Sequence, residues 1–559
     1  MKPSEPLSNI VHELIASAEK TPRFLNVLKR AFSKRNGVPI PQNRMIRAAH
    51  EALIKSGELE RTAEMDELLT VSHIRSQSGV AIITLLTMPY PCPGKCVFCP
   101  DEVRMPKSYV ASEPAAARAL MLNFDPYLQT ARRIQALEEN GHPADKIELI
   151  FKGGTWSSYP IAYQQWFIQQ CFQAMNEYGI VHRNFSPDPE SPYSRFIGTE
   201  KESWSIDKLF DDQKKNETAN YRCIGLTIET RPDFVSSQEI KRLRMLGCTR
   251  VELGLQTTED AVHELTQRGH DSQAVARATK MLKDAGFKVD HHLMPGLPGA
   301  TPESDLQTAR DVFETPHYQP DTVKLYPCVV TPNTVLEQWW KDGTYTPYTA
   351  EQIVSLLSKI KSIVPPYVRI ARVIRDFPST EITAGNMVTN LREEILKYMS
   401  ANDMRCHCLR CREVGHESLF KGIAPDKLPV LCEHTYDASG GKEVFLSFED
   451  EKKEVLYAFL RLRIPSTDNA KVLGVLPELA DCALIRELHT YGHLVPISAQ
   501  EKDASQHKGY GKRLLERAEQ LAREAGYAKI AVISGIGVRE YYKKLGYALE
   551  GTYMVKYLD

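Results

Sequence analysis

The chain lacks any apolar run approaching the roughly 20 residues needed to cross a bilayer, and it contains no low-complexity tract. Its opening residues, Met1-Lys-Pro-Ser-Glu-Pro, supply no hydrophobic signal region. A cytoplasmic protein without membrane partners is the expectation. Net charge is also nearly missing, at −1 over 559 residues, so bulk electrostatics neither favour nor exclude a polyanionic partner. Hydrophobic content of 42% and charged content of 25% exclude a disordered chain, and the length calls for two or three domains. In a reducing compartment the twelve cysteines read as metal ligands or buried thiols, not as disulfides.

Three of those cysteines lie within eight residues, Cys92-Pro-Gly-Lys-Cys96-Val-Phe-Cys99. C-x3-C-x2-C folds a single loop so that three thiolates meet three corners of an iron–sulfur cube, leaving the fourth iron without a protein ligand. The competing reading, a zinc knuckle, needs a second ligand pair nearby, and no C-x2-C follows soon after. The motif resembles that of the radical S-adenosylmethionine (SAM) enzymes, which implies a 4Fe-4S cluster whose open iron is chelated by SAM.

The surrounding pattern predicts an α/β architecture. Strand-like runs at 81–88, 146–152, 223–229, 250–256, 289–294 and 321–326 alternate with helical periodicity, giving a partial (β/α)6 barrel. Its site belongs at the carboxyl ends of the strands. Gly153 and Gly154 end the second run and resemble the glycine pair that meets the SAM amino group. Glu229, Glu252, Gln256, His291 and His292 end later runs, where polar groups cost desolvation unless a ligand or partner uses them. Glu229 and Gln256 join the glycines as expected cofactor-binding residues; an internal ion pair is the alternative for any one of them. The proline-punctuated stretch 186–220 reads as a surface insertion.

Charge is unevenly distributed. Between Lys20 and His50 stand eight basic residues and no acidic one. Lys29, Arg30, Lys34, Arg35, Arg44 and Arg47 form a basic face suited to RNA phosphates, giving a basic helical N-terminal segment. The alternatives are an acidic protein surface or a merely solvated face.

A second trio, Cys406-His-Cys408-Leu-Arg-Cys411, reads as a structural zinc site in a linker. Its fourth ligand is expected from Cys328 or Cys432, Cys328 being preferred, with His407 and His416 behind them. Beyond the linker, Gln506-His-Lys508-Gly509-Tyr510-Gly511-Lys512 precedes a helical stretch at 514–524, an arrangement that presents backbone N–H groups to a pyrophosphate. A generic turn is the bland reading. The order of elements and the later Tyr541-Tyr542 pair resemble the acetyl-CoA-binding core of GNAT-type acetyltransferases. That resemblance implies that this glycine loop holds CoA and that the tyrosines lie beside the thioester, although core packing remains open for one of them.

The combination, from about residue 91 to the C-terminus, resembles the family of the Elongator catalytic subunit, in its prokaryotic branch that works without accessory subunits. It divides the chain into a basic helical segment (1–75), a radical-SAM domain (76–395), a zinc-binding linker (396–425) and a GNAT-type α+β domain (426–559). It implies carboxymethylation of the wobble uridine of tRNA at carbon 5, reached in the anticodon stem-loop, with acetyl-CoA as carbon donor and an external electron donor. The alternative is a protein lysine acetyltransferase whose iron–sulfur cluster is structural. The radical chemistry requires acetyl-CoA to meet the mouth of the barrel, so the GNAT cleft is expected to face that mouth or swing to it, with the zinc linker fixing the geometry.

Overall fold

The computed structural model describes residues 5–71, 79–180, 206–414, 429–491 and 509–558. Four helices open the chain: α1 (Glu5–Ala16), α2 (Pro22–Asn36), α3 (Asn43–Lys55) and α4 (Ala63–Leu69). Helix α2 starts at a Thr21 cap with Pro22 in the first turn and stops at Gly37, whose φ of 65° suits a residue without a Cβ. Leu25, Leu28, Ile46 and Leu53 close a small separate core.

Seven parallel strands follow: β1 (Ala81–Leu86), β2 (Lys146–Lys152), β3 (Arg222–Thr230), β4 (Arg250–Gln256), β5 (Lys288–Leu293), β6 (Thr322–Leu325) and β7 (Arg369–Arg372). They pair in sequence order. The result is an open partial barrel. In β2 the pattern is diagnostic: Ile147, Leu149 and Phe151 are buried outward against helices, while Lys146, Glu148, Ile150 and Lys152 line an internal cavity. Sequence reading finds six of these strands and misses β7. Arg-Ile-Ala-Arg is too short and too basic to register as an apolar run. Part of the expected surface insertion is also corrected. Residues 186–205 lie outside the described residues, but Ile206–Asn216 is a helix that buries Leu209, Gln213 and Asn216, and Asn216 accepts the Cys223 N–H.

The C-terminal sheet comprises β8 (Val430–Ala438), β9 (Gly441–Glu449), β10 (Leu456–Ile464), β11 (Cys482–Thr490), β12 (Lys529–Val532), β13 (Ala548–Glu550) and β14 (Tyr553–Tyr557). Its order is β13-β14-β12-β11-β10-β9-β8. Only β11 and β12 run parallel, paired from Cys482↔Lys529 to Ile485↔Val532, after which they part.

This sheet docks against the amino ends of the barrel strands. Gly535 comes so close to the start of β3 that a Cβ there would lie 2.1 Å from the Ile224 carbonyl oxygen. Tyr553 donates to the Ala285 carbonyl at 2.7 Å, three residues before β5 begins. Between the sheets lies a buried ionic network. Arg486 forks onto both oxygens of Asp321 at 2.6 and 2.7 Å and onto Glu443. Arg463 grips Asp284 at 2.6 Å, and Lys288 reaches Glu487 at 3.2 Å. Removing one member strands a buried charge, which typically costs about 3–5 kcal/mol. The expected placement of the C-terminal cleft is therefore corrected: it stands at the amino end of the barrel, held there by buried ion pairs between the two sheets.

Candidate active site

The cysteine loop follows β1 and packs on the carboxyl end of the barrel. Cys92 Sγ lies 3.4 Å from the Thr155 hydroxyl, and Arg268 donates to Cys96 Sγ at 3.4 Å. A hydrogen bond from Cys99 and the nearby Arg268 and Arg231 charges bring the Cys96 thiol down to about 5, despite burial. Thiolate is the form that binds iron. The glycine pair fits this loop closely. A Cβ on Gly154 would stand 3.4 Å from Cys92 Cβ, and one on Gly153 would stand 2.2 Å from Thr87 Oγ1. Three thiols on one loop, a cationic surround and a backbone without Cβ atoms are what a three-Cys cluster site needs. These residues fit the group.

Next to the loop the strand ends hold a charged cluster. Lys152 bridges Glu229, at 2.7 Å, and Glu252; Lys324 donates to the same Glu252 oxygen, and His292 stands 3.2 Å from it. Burial opposes the charge on Glu229, yet Lys152 and His292 hold its pKa down near 2. Burial likewise opposes the Lys152 charge, but Glu229 and Glu252 outweigh it and keep the ammonium well above the ordinary range. Lys324 shares Glu252 with a second lysine, so burial dominates and lowers it to about 8. Glu229, Glu252 and His292 are close enough to share a metal ion. Two ammonium groups already occupy Glu252, which makes the set an ion-pair cluster. Gln256 sits at φ 72°, an uncommon conformation for a residue with a Cβ, and its Oε1 is buried without a hydrogen-bond partner.

One cavity of about 1290 Å³ runs from Glu229, Gln256 and Tyr326 at this end, past Glu148 and Arg250, to Tyr541, Gly509 and Gly511 in the C-terminal sheet. It enters that sheet where β11 and β12 part, alongside His489 and Ser534.

Comparison with known proteins agrees with this division. Residues 88–312 match the Radical SAM superfamily, 320–401 the Radical_SAM C-terminal domain and 501–547 the Acetyltransferase (GNAT) family. The tRNA uridine(34) acetyltransferase of Methanocaldococcus jannaschii is 46% identical, with 88% of this chain and 87% of that protein covered. The Dehalococcoides mccartyi protein of the same name is 45% identical over 87% of this chain and 99% of its own length. Elongator complex protein 3 of Homo sapiens is 37% identical, covering 88% and 86%. The solved structure of the archaeal Methanocaldococcus infernus Elp3 with its N-terminus (1–46) deleted is 42% identical and covers 86% of this chain and all of that one, with a TM-score of 0.71.

The chain belongs to the Elp3/tRNA uridine(34) acetyltransferase family.

Within this Elp3-type frame the remaining expected residues separate. Tyr541 is 41% exposed and Tyr542 only 6%, the latter packed edge-on to Tyr541 and Tyr547 in the core of the sheet. Gly509 adopts φ 73° at the start of the helix Tyr510–Glu524, and Gly511 lies close to the Tyr541 hydroxyl. The Tyr510 side chain is buried on Phe448, so it anchors that helix. Lys512 is exposed beside Glu516. Gln506, Lys508 and His416 lie outside the described residues.

The linker thiols of Cys406, Cys408 and Cys411 gather within 4.8 Å of one another. Zn–S bonds of about 2.3 Å in a tetrahedron put sulfurs ~3.8 Å apart, so the trio fits one zinc ion. Cys406 and Cys411 both hydrogen-bond to Cys408 and hold it as the thiolate. The preferred fourth ligand is corrected. Cys328 follows the carboxyl end of β6 and packs with Cys96, Phe98 and Tyr345. The trio instead touches the amino end of β7, where Leu409 N–H donates to Val368. Cys432, on β8, and His407 do not join the trio either.

On the N-terminal helices, Arg30, Lys34 and Arg35 are exposed. Arg47 does not belong to a free basic face: it is half-buried between Glu51 and Asp66. Lys29 donates to Asn43, and Arg44 pairs with Glu139. Sequence reading missed Lys152, Lys324 and Arg268. Lys324 was discoverable, because a lysine inside the buried run Thr-Val-Lys-Leu demands a partner. Arg268 lies in a connecting segment with no periodic signal.

Proposed function

We propose that this chain carboxymethylates the wobble uridine of tRNA at carbon 5, with acetyl-CoA supplying the two added carbons. The observation that carries the reading is the single cavity shared by the strand ends beside the cysteine loop and the acetyltransferase cleft. Carbon 5 of uridine has no nucleophilic heteroatom to acetylate, and the acetyl methyl has only strong C–H bonds, so neither module completes the reaction alone. Cysteines 92, 96 and 99 would hold a 4Fe-4S cluster, and Gly153, Gly154, Glu229 and Gln256 would border SAM. Bound there, the pair supplies one-electron cleavage of SAM and hence a carbon radical able to break such a C–H bond.

The protein's own part is placement and exclusion. Gly509 and Gly511 would hold the CoA pyrophosphate, and Tyr541, the exposed member of its pair, would lie beside the thioester. The target base would be unstacked from the anticodon loop to reach the barrel. Arg30, Lys34 and Arg35 would contact the tRNA backbone, and Cys406, Cys408 and Cys411 would hold a structural zinc. Sequence likeness to archaeal and bacterial relatives that are named as acetyltransferases, not as proteins of a complex, supports action without accessory subunits. Among the described residues no helix is long and apolar enough to cross a membrane.

The test is nucleoside mass spectrometry of tRNA incubated anaerobically with the protein, SAM, a reductant and acetyl-CoA. Carboxymethyluridine dependent on all four components is expected. Acetyl-lysine on a protein acceptor without any modified nucleoside would favour the acetyltransferase alternative.

A further inference from the structure

The reaction proposed above ends with a step that no residue named so far performs. Its donor is a thioester and its product a free carboxylate, so water must break the bond between the acetyl carbonyl carbon and sulfur. Thioesters hydrolyse slowly in neutral water, and a positioned base that takes a proton from the attacking water is the usual remedy.

The cavity crosses the C-terminal sheet where β11 and β12 part, after Ile485 and Val532. Beyond that point the side chains of β11 alternate. Leu488 and Thr490 turn to the helix Tyr510–Glu524, 4.0 and 3.7 Å from where a Cβ on Gly511 would stand, with the Tyr541 hydroxyl at 3.2 Å from the same point. Glu487 and His489 turn the other way, to the barrel, where Lys288 meets Glu487 at 3.2 Å.

Three side chains lining this part of the cavity are bases by type: Glu413, Glu487 and His489. Glu413 is paired with Arg369. Glu487 also accepts from Arg461 at 2.9 Å, and although burial opposes its charge, Lys288 and Arg461 hold its pKa near 2, too low to draw a proton from water. His489 is different. Its ring is held between Phe459, at 5.9 Å between centroids, and Tyr491, at 4.4 Å, and Arg369 fixes the Tyr491 hydroxyl at 3.1 Å. Its Nε2 is buried and has no hydrogen-bond partner among the described residues. A histidine used only for packing would pair that nitrogen. Burial lowers the His489 pKa, so at neutral pH the ring is uncharged and offers a lone pair. Ser534 Oγ, likewise buried without a partner among the described residues, lines the β12 side of the gap. Both lips of the gap therefore carry a polar atom that no described side chain uses.

We propose that His489 is the general base for hydrolysis of the thioester. This rests on the function proposed above and assigns its last bond-breaking step. A thioester seated in the gap beside Tyr541 would present its carbonyl carbon to water on the barrel side, where His489 stands. Nε2 takes a proton as the water oxygen bonds to that carbon. The carbon–sulfur bond then breaks, and coenzyme A leaves as the thiolate and takes the proton back from the imidazolium. The new carboxylic acid loses its own proton to solvent, and no oxidant or reductant takes part.

The test uses the full chain without cluster or SAM, and a synthetic anticodon stem-loop whose wobble uridine already carries the carboxymethyl group as its coenzyme A thioester. Chromatography of the released coenzyme A then reads hydrolysis apart from the radical steps. Wild-type protein should release it at least a hundredfold faster than His489→Gln, with affinity for acetyl-CoA changed less than threefold. His489→Ala should be as slow as the glutamine variant and regain at least tenfold with added imidazole, a response that a merely structural role of the ring would not give. Wild-type release no faster than in buffer, equal release by His489→Gln, or a lost rate that imidazole leaves untouched would overturn the assignment. Release by a wild-type protein that makes no carboxymethyluridine from acetyl-CoA, SAM, reductant and tRNA would sink the proposed function and leave His489 standing. Carboxymethyluridine made at the wild-type rate by His489→Gln would do the reverse.

Discussion

Two cysteine trios, each within eight residues of chain, illustrate how differently the same side chain is used. The linker trio is tight, with three thiols within 4.8 Å of one another and Cys408 as the shared thiolate. The loop trio is spread. Cys96 and Cys99 hydrogen-bond to each other, while Cys92 turns to the Thr155 hydroxyl beside the glycine pair. The tight set suits a single ion, and the spread one suits the separated corners of an iron–sulfur cube. Their neighbours differ too. Arg268 and Arg231 surround the loop at the carboxyl ends of the strands, where a site belongs, whereas the linker trio abuts the amino end of β7 beside Lys361. Spacing in sequence tells how many thiols converge. Only the packing around them tells whether the result is a reactive centre or a clamp.

The largest effects should separate the trios completely. Cys96→Ala should abolish the iron–sulfur absorption and all nucleoside product while keeping one equivalent of zinc. Cys408→Ala should lose the zinc and keep the iron, as elemental analysis of the two purified variants would show. Loss of both metals from either variant would erase the distinction.

A second prediction asks what fixes the modules against each other, the linker clamp or the buried ion network. Asp321→Asn should lower unfolding free energy by about 3–5 kcal/mol, measured by denaturant titration. Burial opposes the Asp321 charge, but Arg486 and Lys283 hold its pKa far below the ordinary carboxylate value. A depressed folded pKa means that the stabilisation is complete above the unfolded value and is lost only as pH falls toward the folded one. The deficit of the variant should therefore persist at about pH 4 and shrink only below it. A deficit under 1 kcal/mol would return the burden to the linker.

Much of this was legible in the chain, for identifiable reasons. Cys92, Cys96 and Cys99 announce themselves because ligand spacing is local. The strand ends at Glu229 and Gln256 stand out because charge and amide groups interrupt apolar runs. The course of the cavity was not legible. It depends on Gly535 meeting Ile224 across more than three hundred residues of sequence, and on Arg486 finding Asp321. Nor could spacing exclude Cys328 from the zinc site, since only the barrel's direction puts it at the wrong end of β6.

Smaller effects sharpen the comparison. Arg268→Gln removes the donor to Cys96 and to the Gly254 carbonyl. Loss of such a supporting contact should weaken iron retention by about 10–100-fold, read from the rate of loss to a chelator, with zinc unaffected. Cys328→Ala should be the mildest change, costing about 1 kcal/mol of stability and no zinc. A missing zinc in that variant would restore Cys328 as the fourth ligand.

Both modules serve one reaction. That is tested most directly by supplying acetyl-CoA labelled with carbon-13 at both acetyl carbons, with SAM, reductant and tRNA, and weighing the modified nucleoside. A carboxymethyl group on carbon 5 of uridine that carries both labelled carbons is expected. Product and label should disappear together in Gly509→Glu, which puts a bulky anion where the pyrophosphate is proposed to bind. An unlabelled product, or a labelled acetyl on nitrogen or oxygen with SAM uncleaved, would contradict it.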